Sequence, residues 1–317
     1  VVGVYCLCRA HAKYKNNSMN PSVQSKIFAT LLKVFNFKKR VEKRVLNNNP
    51  ASKKGFLPKR IRRSYLVNLQ TFNGEFIATF ENKKKATNNH IIFFHGGAYI
   101  FKTTPGHWRL SENIIKRSFC RMTHVDYPLA PQHNYKETFN MVSGAYELLI
   151  NQYPEDNFIF MGDSAGGGLA LAFAQKLIKE KHKKLPARII LLSPWLDLTM
   201  SNPAIKKLEE SDHILTVKML QYAGMKYSNG EKQDQYLLSP INGEFIDLPK
   251  TIVFYGTEEL FYADCIRLKS MIDSNSQNII FREYQKMQHD WSIFPIPESK
   301  QLVNEVCDFI DDIKVKK

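Results

Sequence analysis

The pentapeptide Gly162-Asp163-Ser164-Ala165-Gly166 stands between two apolar runs, Asn157-Phe158-Ile159-Phe160-Met161 and residues 169–178. The first run has the length and composition of a strand and the second that of a helix. A strand that turns into a helix over so few residues needs small side chains around the turn. The helix packs back against the strand, and the central serine adopts a strained backbone. Its hydroxyl then stands free beside the helix N-terminus, and Gly167 and Gly168 extend a smooth surface for an approaching substrate. The five-residue pattern is common by chance, so its strand and helix context is what makes it informative.

A second strand-like run, Ile91-Ile92-Phe93-Phe94, leads directly into His95-Gly96-Gly97-Ala98-Tyr99. Adjacent glycines let a backbone turn its N–H groups onto a ligand at close range, as stabilising an oxyanion requires. Gly96, Gly97 and Ala165, the residue after the serine, are the expected donors. An ordinary tight turn after a strand is the plainer reading of the glycine pair taken alone.

A serine becomes a useful nucleophile when a base takes its proton and an acid orients that base. On a strand–serine–helix scaffold both follow the serine, acid first and histidine second. Only His182, His213 and His289 lie beyond Ser164. His182 falls in the basic segment 179–184 and His213 in a polar stretch. His289 follows the strand-like run Asn278-Ile279-Ile280-Phe281-Arg282-Glu283-Tyr284 in a loop that can reach the serine, and is the expected base. The acid is expected just after Thr251-Ile252-Val253-Phe254-Tyr255, where Glu258, Glu259 and Asp264 compete. Glu259, one residue before the next apolar pair, is the preferred candidate.

These blocks, with Asp126-Tyr127-Pro128-Leu129-Ala130-Pro131 and Leu192-Ser193-Pro194-Trp195-Leu196-Asp197-Leu198, resemble the hormone-sensitive-lipase-like group of α/β-hydrolases over roughly residues 64–314. The family usually carries a third glycine where Ala98 stands, and many members carry aspartate where Glu259 stands. Relatives that have become hormone receptors lose the catalytic histidine, which this chain retains. The resemblance implies a serine carboxylesterase with a helical cap, acting through an acyl-enzyme on short to medium acyl esters without a cofactor. Amide or lactone hydrolysis uses the same acyl chemistry. A ligand-binding protein without turnover is the rival from another class. Tyr99, Trp108, Tyr127 and Trp195, near the motif blocks, are candidates to line the substrate pocket, although aromatic residues at strand ends commonly serve as packing. Asp163 reads as a turn or cap contact, and Asp126 and Asp197 as structural hydrogen-bond acceptors.

Strand-like segments near 64–72, 75–80, 90–95, 119–126, 157–161, 188–193, 250–255 and 278–284 alternate with helix-like ones near 108–117, 137–151, 165–180, 260–273 and 298–313. Between 119 and 284 the strands are apolar on both faces, as in a parallel sheet covered by helices. An α/β domain with a mostly parallel eight-stranded sheet is therefore expected over 64–317. Two segments fall outside the alternation, the stretch through Arg63 and the stretch 199–238, and by analogy they form the cap.

Residues 1–66 hold 16 basic side chains and one acid, Glu42, and so carry the whole net charge of +15. Such an arm suits either weak contact with an anionic membrane or a solvated helical face. Nucleic acid is not an expected partner, since no binding fold surrounds these lysines and arginines and aromatic residues are sparsely interleaved. Five scattered cysteines, Cys6, Cys8, Cys120, Cys265 and Cys307, do not make a disulfide framework. Cys6 and Cys8 are too close for a zinc pair, so no metal is expected. The apolar residues 1–5, without an initiating Met, are too short to span a bilayer and suit the stub of a longer segment; a reducing cytoplasm is the default location.

Overall fold

A computed structural model of the protein describes residues 20–47, 57–272 and 278–313. Cys6, Cys8, the apolar residues 1–5 and the parts of the arm at 1–19 and 48–56 lie outside the described residues. Strands β1 (Tyr65–Phe72), β2 (Glu75–Asn82), β3 (Asn89–Phe94), β4 (Arg121–Val125), β5 (Asn157–Asp163), β6 (Arg188–Leu192), β7 (Lys250–Gly256) and β8 (Ile279–Tyr284) form one sheet. Their order is β1-β2-β4-β3-β5-β6-β7-β8. The β1–β2 and β2–β4 pairs are antiparallel, and every other pair is parallel.

Helices α1 (Val23–Val34), α2 (Phe37–Leu46) and α3 (Lys59–Ser64) precede the sheet. Parallel neighbours need long crossovers, supplied by α4 (Pro105–Ser118), α5 (Tyr135–Gln152), α6 (Ala165–Lys179), α9 (Tyr262–Met271) and, in the β6–β7 connection, α7 (Ile205–Leu208) and α8 (Val217–Ser228); α10 (Pro297–Asp311) follows β8. Local chemistry sets their starts. Pro105 sits in the first turn of α4, three residues earlier than periodicity suggests. At α5, Asn134 Oδ1 accepts from the Lys136 N–H while Glu137 accepts from the Asn134 N–H.

The two-residue period of the strands divides the core into two layers. Phe93, Ile159, Met161 and Ile190 pack on one face with α4 and α10, whereas Phe94, Phe160 and Leu191 pack on the other with Tyr146 of α5 and Phe173 of α6. Truncating a buried phenylalanine in such a layer costs about 3–5 kcal/mol.

This strand order positions the chemistry. In the parallel register Phe94 lies beside Gly162, and Gly256 beside Tyr284. The loops after β3, β5, β7 and β8 therefore leave the sheet at one edge, the carboxyl edge where α/β proteins bind ligands. Those loops contain His95, Ser164, Glu259 and His289.

Candidate active site

Ser164 occupies the turn between β5 and α6 with φ 52° and ψ −121°, a conformation that costs an ordinary residue of order 1–3 kcal/mol. Neighbouring hydrogen bonds hold it there: the Ser164 N–H donates to Leu192 O at 2.8 Å, and the Trp195 N–H donates to Ser164 O at 2.8 Å. The flanking glycines are required by close approach. A Cβ on Gly162 would lie 2.2 Å from Gly166 O, and one on Gly166 would lie 2.0 Å from Phe94 O.

The structure brings the expected base and acid to this serine. Nε2 of His289, 125 positions away in sequence, lies 2.9 Å from Ser164 Oγ, and Nδ1 lies 2.8 Å from Glu259 Oε2. Nδ1–H donating to the carboxylate leaves Nε2 free to accept from the serine. The Gly256 N–H holds the other glutamate oxygen at 2.8 Å, and the Phe261 ring meets the imidazole edge-on at 5.0 Å. All three side chains are buried. Burial pushes the Glu259 carboxyl up, against the stabilising pull of His289, the Gly256 N–H and Ser193. Burial alone would depress the His289 imidazole, but the carboxylates of Asp290 and Glu259 outweigh it and hold the pKa well above its ordinary value.

The competing residues lie elsewhere. Asp264 Oδ1 accepts from Asn202 Nδ2, and burial pushes its carboxyl up to about 6. Glu258 accepts from Gln288 Nε2. His182 pairs with Glu147 at a part-exposed position. His213 contacts the region through its backbone N–H, which donates to Gln288 Oε1.

Gly96 requires a correction. Its N–H donates to Asp163 Oδ1 at 2.9 Å, so it is committed inside the scaffold and is not available to a substrate oxygen. Asp163 is a bracket between the β3 loop and the serine turn. Its Oδ2 accepts from His107 Nε2 at 2.9 Å, and the Thr104 N–H donates to His107 Nδ1 at 2.8 Å, which fixes the imidazole tautomer. The sequence suggests a turn or cap contact for Asp163, but its tie to His107 of α4 carries no sequence signal.

The four aromatic candidates also require correction, because all of them pack in the core. Tyr99 stacks on Tyr227 at 3.7 Å, Trp108 on His124 at 4.0 Å, and Tyr127 on His95 at 4.4 Å. Trp195 stacks on Phe261, and its Nε1–H donates to Asp197 O. A cavity of about 440 Å³ opens instead above Ser164, His289, Gly97 and Ala98. Phe37, Val41 and Val45 of α2 wall one side, and Ile214, Leu215 and Met219 wall another. Neither group was singled out from sequence as pocket lining, since nothing local shows that segments so far apart meet. Sequence reasoning also missed Asp290, whose Oδ2 lies 3.3 Å from His289 Nε2 at the cavity wall.

A family model described as alpha/beta hydrolase fold matches residues 91–293. An esterase of Acinetobacter venetianus is 31% identical over 236 residues, covering 72% of this chain and 77% of the relative. An acetyl-hydrolase of Streptomyces hygroscopicus is 24% identical over 240 residues, covering 75% and 80%. Among solved structures, a Staphylococcus aureus protein assigned as an esterase superposes with a TM-score of 0.77 at 28% identity, over 89% of this chain and 93% of that one.

Proposed function

Because the chain belongs to the α/β-hydrolase fold family, we propose that Ser164, His289 and Glu259 are the working groups of its carboxylic ester hydrolase activity. The observation that carries this reading is the unbroken hydrogen-bonded series Ser164 Oγ, His289, Glu259 at 2.9 and 2.8 Å, whose first two members line the cavity. Relatives named esterase and acetyl-hydrolase support the reaction class.

His289 Nε2 takes the Ser164 proton as Oγ attacks the ester carbonyl. The resulting oxyanion receives N–H groups from Gly97, Ala98 and Ala165, since Gly96 is spent on Asp163. Glu259 holds the Nδ1–H tautomer and steadies the imidazolium. Nε2 then gives its proton to the departing alcohol, leaving an acyl group on Oγ. A water repeats the sequence, with His289 as base, and releases the acid. Every proton is returned and no cofactor enters.

Helix α2 and the β6–β7 connection serve as the cap, since Phe37, Val41 and Val45 of the one and Ile214, Leu215 and Met219 of the other line the cavity that holds Ser164. Its volume lies at the lower end of the roughly 300–1,000 Å³ typical of small-molecule sites, which favours short to medium acyl chains. Weak contact between the basic arm and an anionic membrane is part of this proposal. Among the described residues no helix is long and apolar enough to cross a membrane. A cytoplasmic location is in keeping with Cys120, Cys265 and Cys307, which are free and buried.

Hydrolysis of p-nitrophenyl acetate, butyrate, octanoate and dodecanoate, run beside Ser164→Ala, tests the reading. Turnover of the shorter esters that Ser164→Ala lowers by roughly 10⁴-fold or more is expected. Absence of turnover with every ester would replace it with a ligand-binding role.

A further inference from the structure

Helix α1 packs against the domain by one face and leaves an apolar face exposed on the other side. On the inner face Ser25 and Leu32 are buried, and the Phe28 ring lies 4.5 Å from that of Phe294, a residue of the cavity wall. On the outer face Val23, Ile27, Leu31 and Val34 follow one another at helical spacing and are 67%, 55%, 45% and 70% exposed, and Phe35 continues the row at 57%. Exposed apolar side chains scattered singly need no explanation, but a continuous row marks an interaction surface.

Charge identifies the partner. Lys26 and Lys33 flank the row at exposed positions, and Lys39, Arg40 and Lys43 are exposed on α2. Residues 22–47 hold seven basic side chains and a single acid, Glu42. A second copy of the chain would set one cationic surface against another, whereas lipid phosphates neutralise it. An amphipathic helix with an apolar face bordered by lysines suits the plane of a bilayer surface.

We propose that the outer face of α1 docks on an anionic lipid bilayer, with Val23, Ile27, Leu31, Val34 and Phe35 among the upper acyl chains and Lys26 and Lys33 on the phosphates. The inference rests on, and deepens, the arm–membrane part of the preceding reading. It also gives that contact a direction. The row ends at the α1–α2 turn, and Phe37, just beyond the turn and 38% exposed, lines the catalytic cavity. The turn thus sets the membrane-facing row beside a residue of the cavity wall, where an ester leaving the bilayer would enter.

The test is co-sedimentation of the full chain, carrying Ser164→Ala, with phosphatidylcholine vesicles with and without phosphatidylserine at low salt. Binding to the anionic vesicles is expected to exceed binding to neutral ones. It should fall roughly tenfold or more in Ile27→Gln/Leu31→Gln, which leaves the charge unchanged, and again in Lys26→Gln/Lys33→Gln. On the active background both pairs should hydrolyse water-soluble esters like the parent, since none of the four side chains touches the cavity. Equal partition to both vesicle types would overturn the proposal. So would unchanged binding of the Ile27→Gln/Leu31→Gln pair, which would move the contact to charge elsewhere in the arm. A dimer that this pair abolishes would assign the row to a second copy instead. Sedimentation needs no turnover, so a failed ester-hydrolase reading would appear only in the ester assay.

Discussion

Asp290 Oδ2 lies 3.3 Å from His289 Nε2, the nitrogen that reaches Ser164 Oγ at 2.9 Å. The imidazole therefore has a carboxylate on each ring nitrogen, Glu259 on Nδ1 and Asp290 on Nε2. Both favour the imidazolium, and with the burial that opposes them they leave the His289 pKa raised. Only neutral imidazole can accept the serine proton, so catalysis switches on as pH rises through that raised value. Removing the Asp290 charge lowers the pKa and extends activity downward. Asp290→Asn is expected to move the acid limb of kcat/KM to lower pH, measured with p-nitrophenyl acetate. A limb that stays in place would show that Asp290 does not set the base.

Glu259 and Asp264 should separate cleanly. In Glu259→Gln the amide no longer offers an anionic acceptor to His289 Nδ1–H, and kcat should fall by roughly 10³- to 10⁴-fold. Asp264→Asn, at a site bonded to Asn202 and not to His289, should stay within about twofold. The reverse pattern in single-variant kinetics would transfer the orienting role to Asp264.

Asp264 should show itself in stability instead. Burial raises its folded-state value from 3.8 to about 6. Between these values the unfolded chain has released the proton and the folded chain still holds it, so stability falls as pH rises across that window and levels off above it. The full effect is up to about 3 kcal/mol. Urea melts of the parent and Asp264→Asn should therefore diverge between pH 4 and about 6, with the asparagine variant losing less stability; parallel curves would contradict this.

Asp163 joins the Gly96 amide to the serine turn at 2.9 Å. Asp163→Ala frees the β3 loop and blurs the placement of the next two amides, which are proposed to meet the oxyanion. The expected effect is a fall in kcat of up to roughly 100-fold with little change in KM, because those contacts form fully only in the transition state. A change confined to KM would place Asp163 in substrate binding.

Val41 walls the cavity from α2. Val41→Trp fills space that longer acyl chains need, and each methylene denied burial forfeits about 0.8 kcal/mol. The kcat/KM for p-nitrophenyl octanoate should drop at least about tenfold more than that for the acetate. Equal losses with both esters would place the acyl group away from α2.

Much of the candidate site was legible along the chain. Gly162 is demanded by a contact within the same turn, and the apolar runs on both sides disclose strand and helix through their own spacing. The eight strands and their helices were found from the same periodicities, because these report which side of a segment is buried whatever it packs against. The place of His289 near the serine followed from its position after the last strand of a parallel sheet. What neighbours do across long separations was not legible. Glu259 had to be distinguished from Glu258 and Asp264 by which carboxylate the β7 loop turns inward. Gly96 lost its assigned role because the β3–β5 register sets its N–H against Asp163. Tyr99, Trp108, Tyr127 and Trp195 went to the core because Tyr227, His124, His95 and Phe261 come to meet their rings. The sequence by itself determined the local turns, the periodicities and the order of reactive groups, since short-range sterics and burial act within a few residues. Only the tertiary structure decided which donor meets which acceptor and which side chains wall the cavity, since those choices depend on how distant segments are brought together.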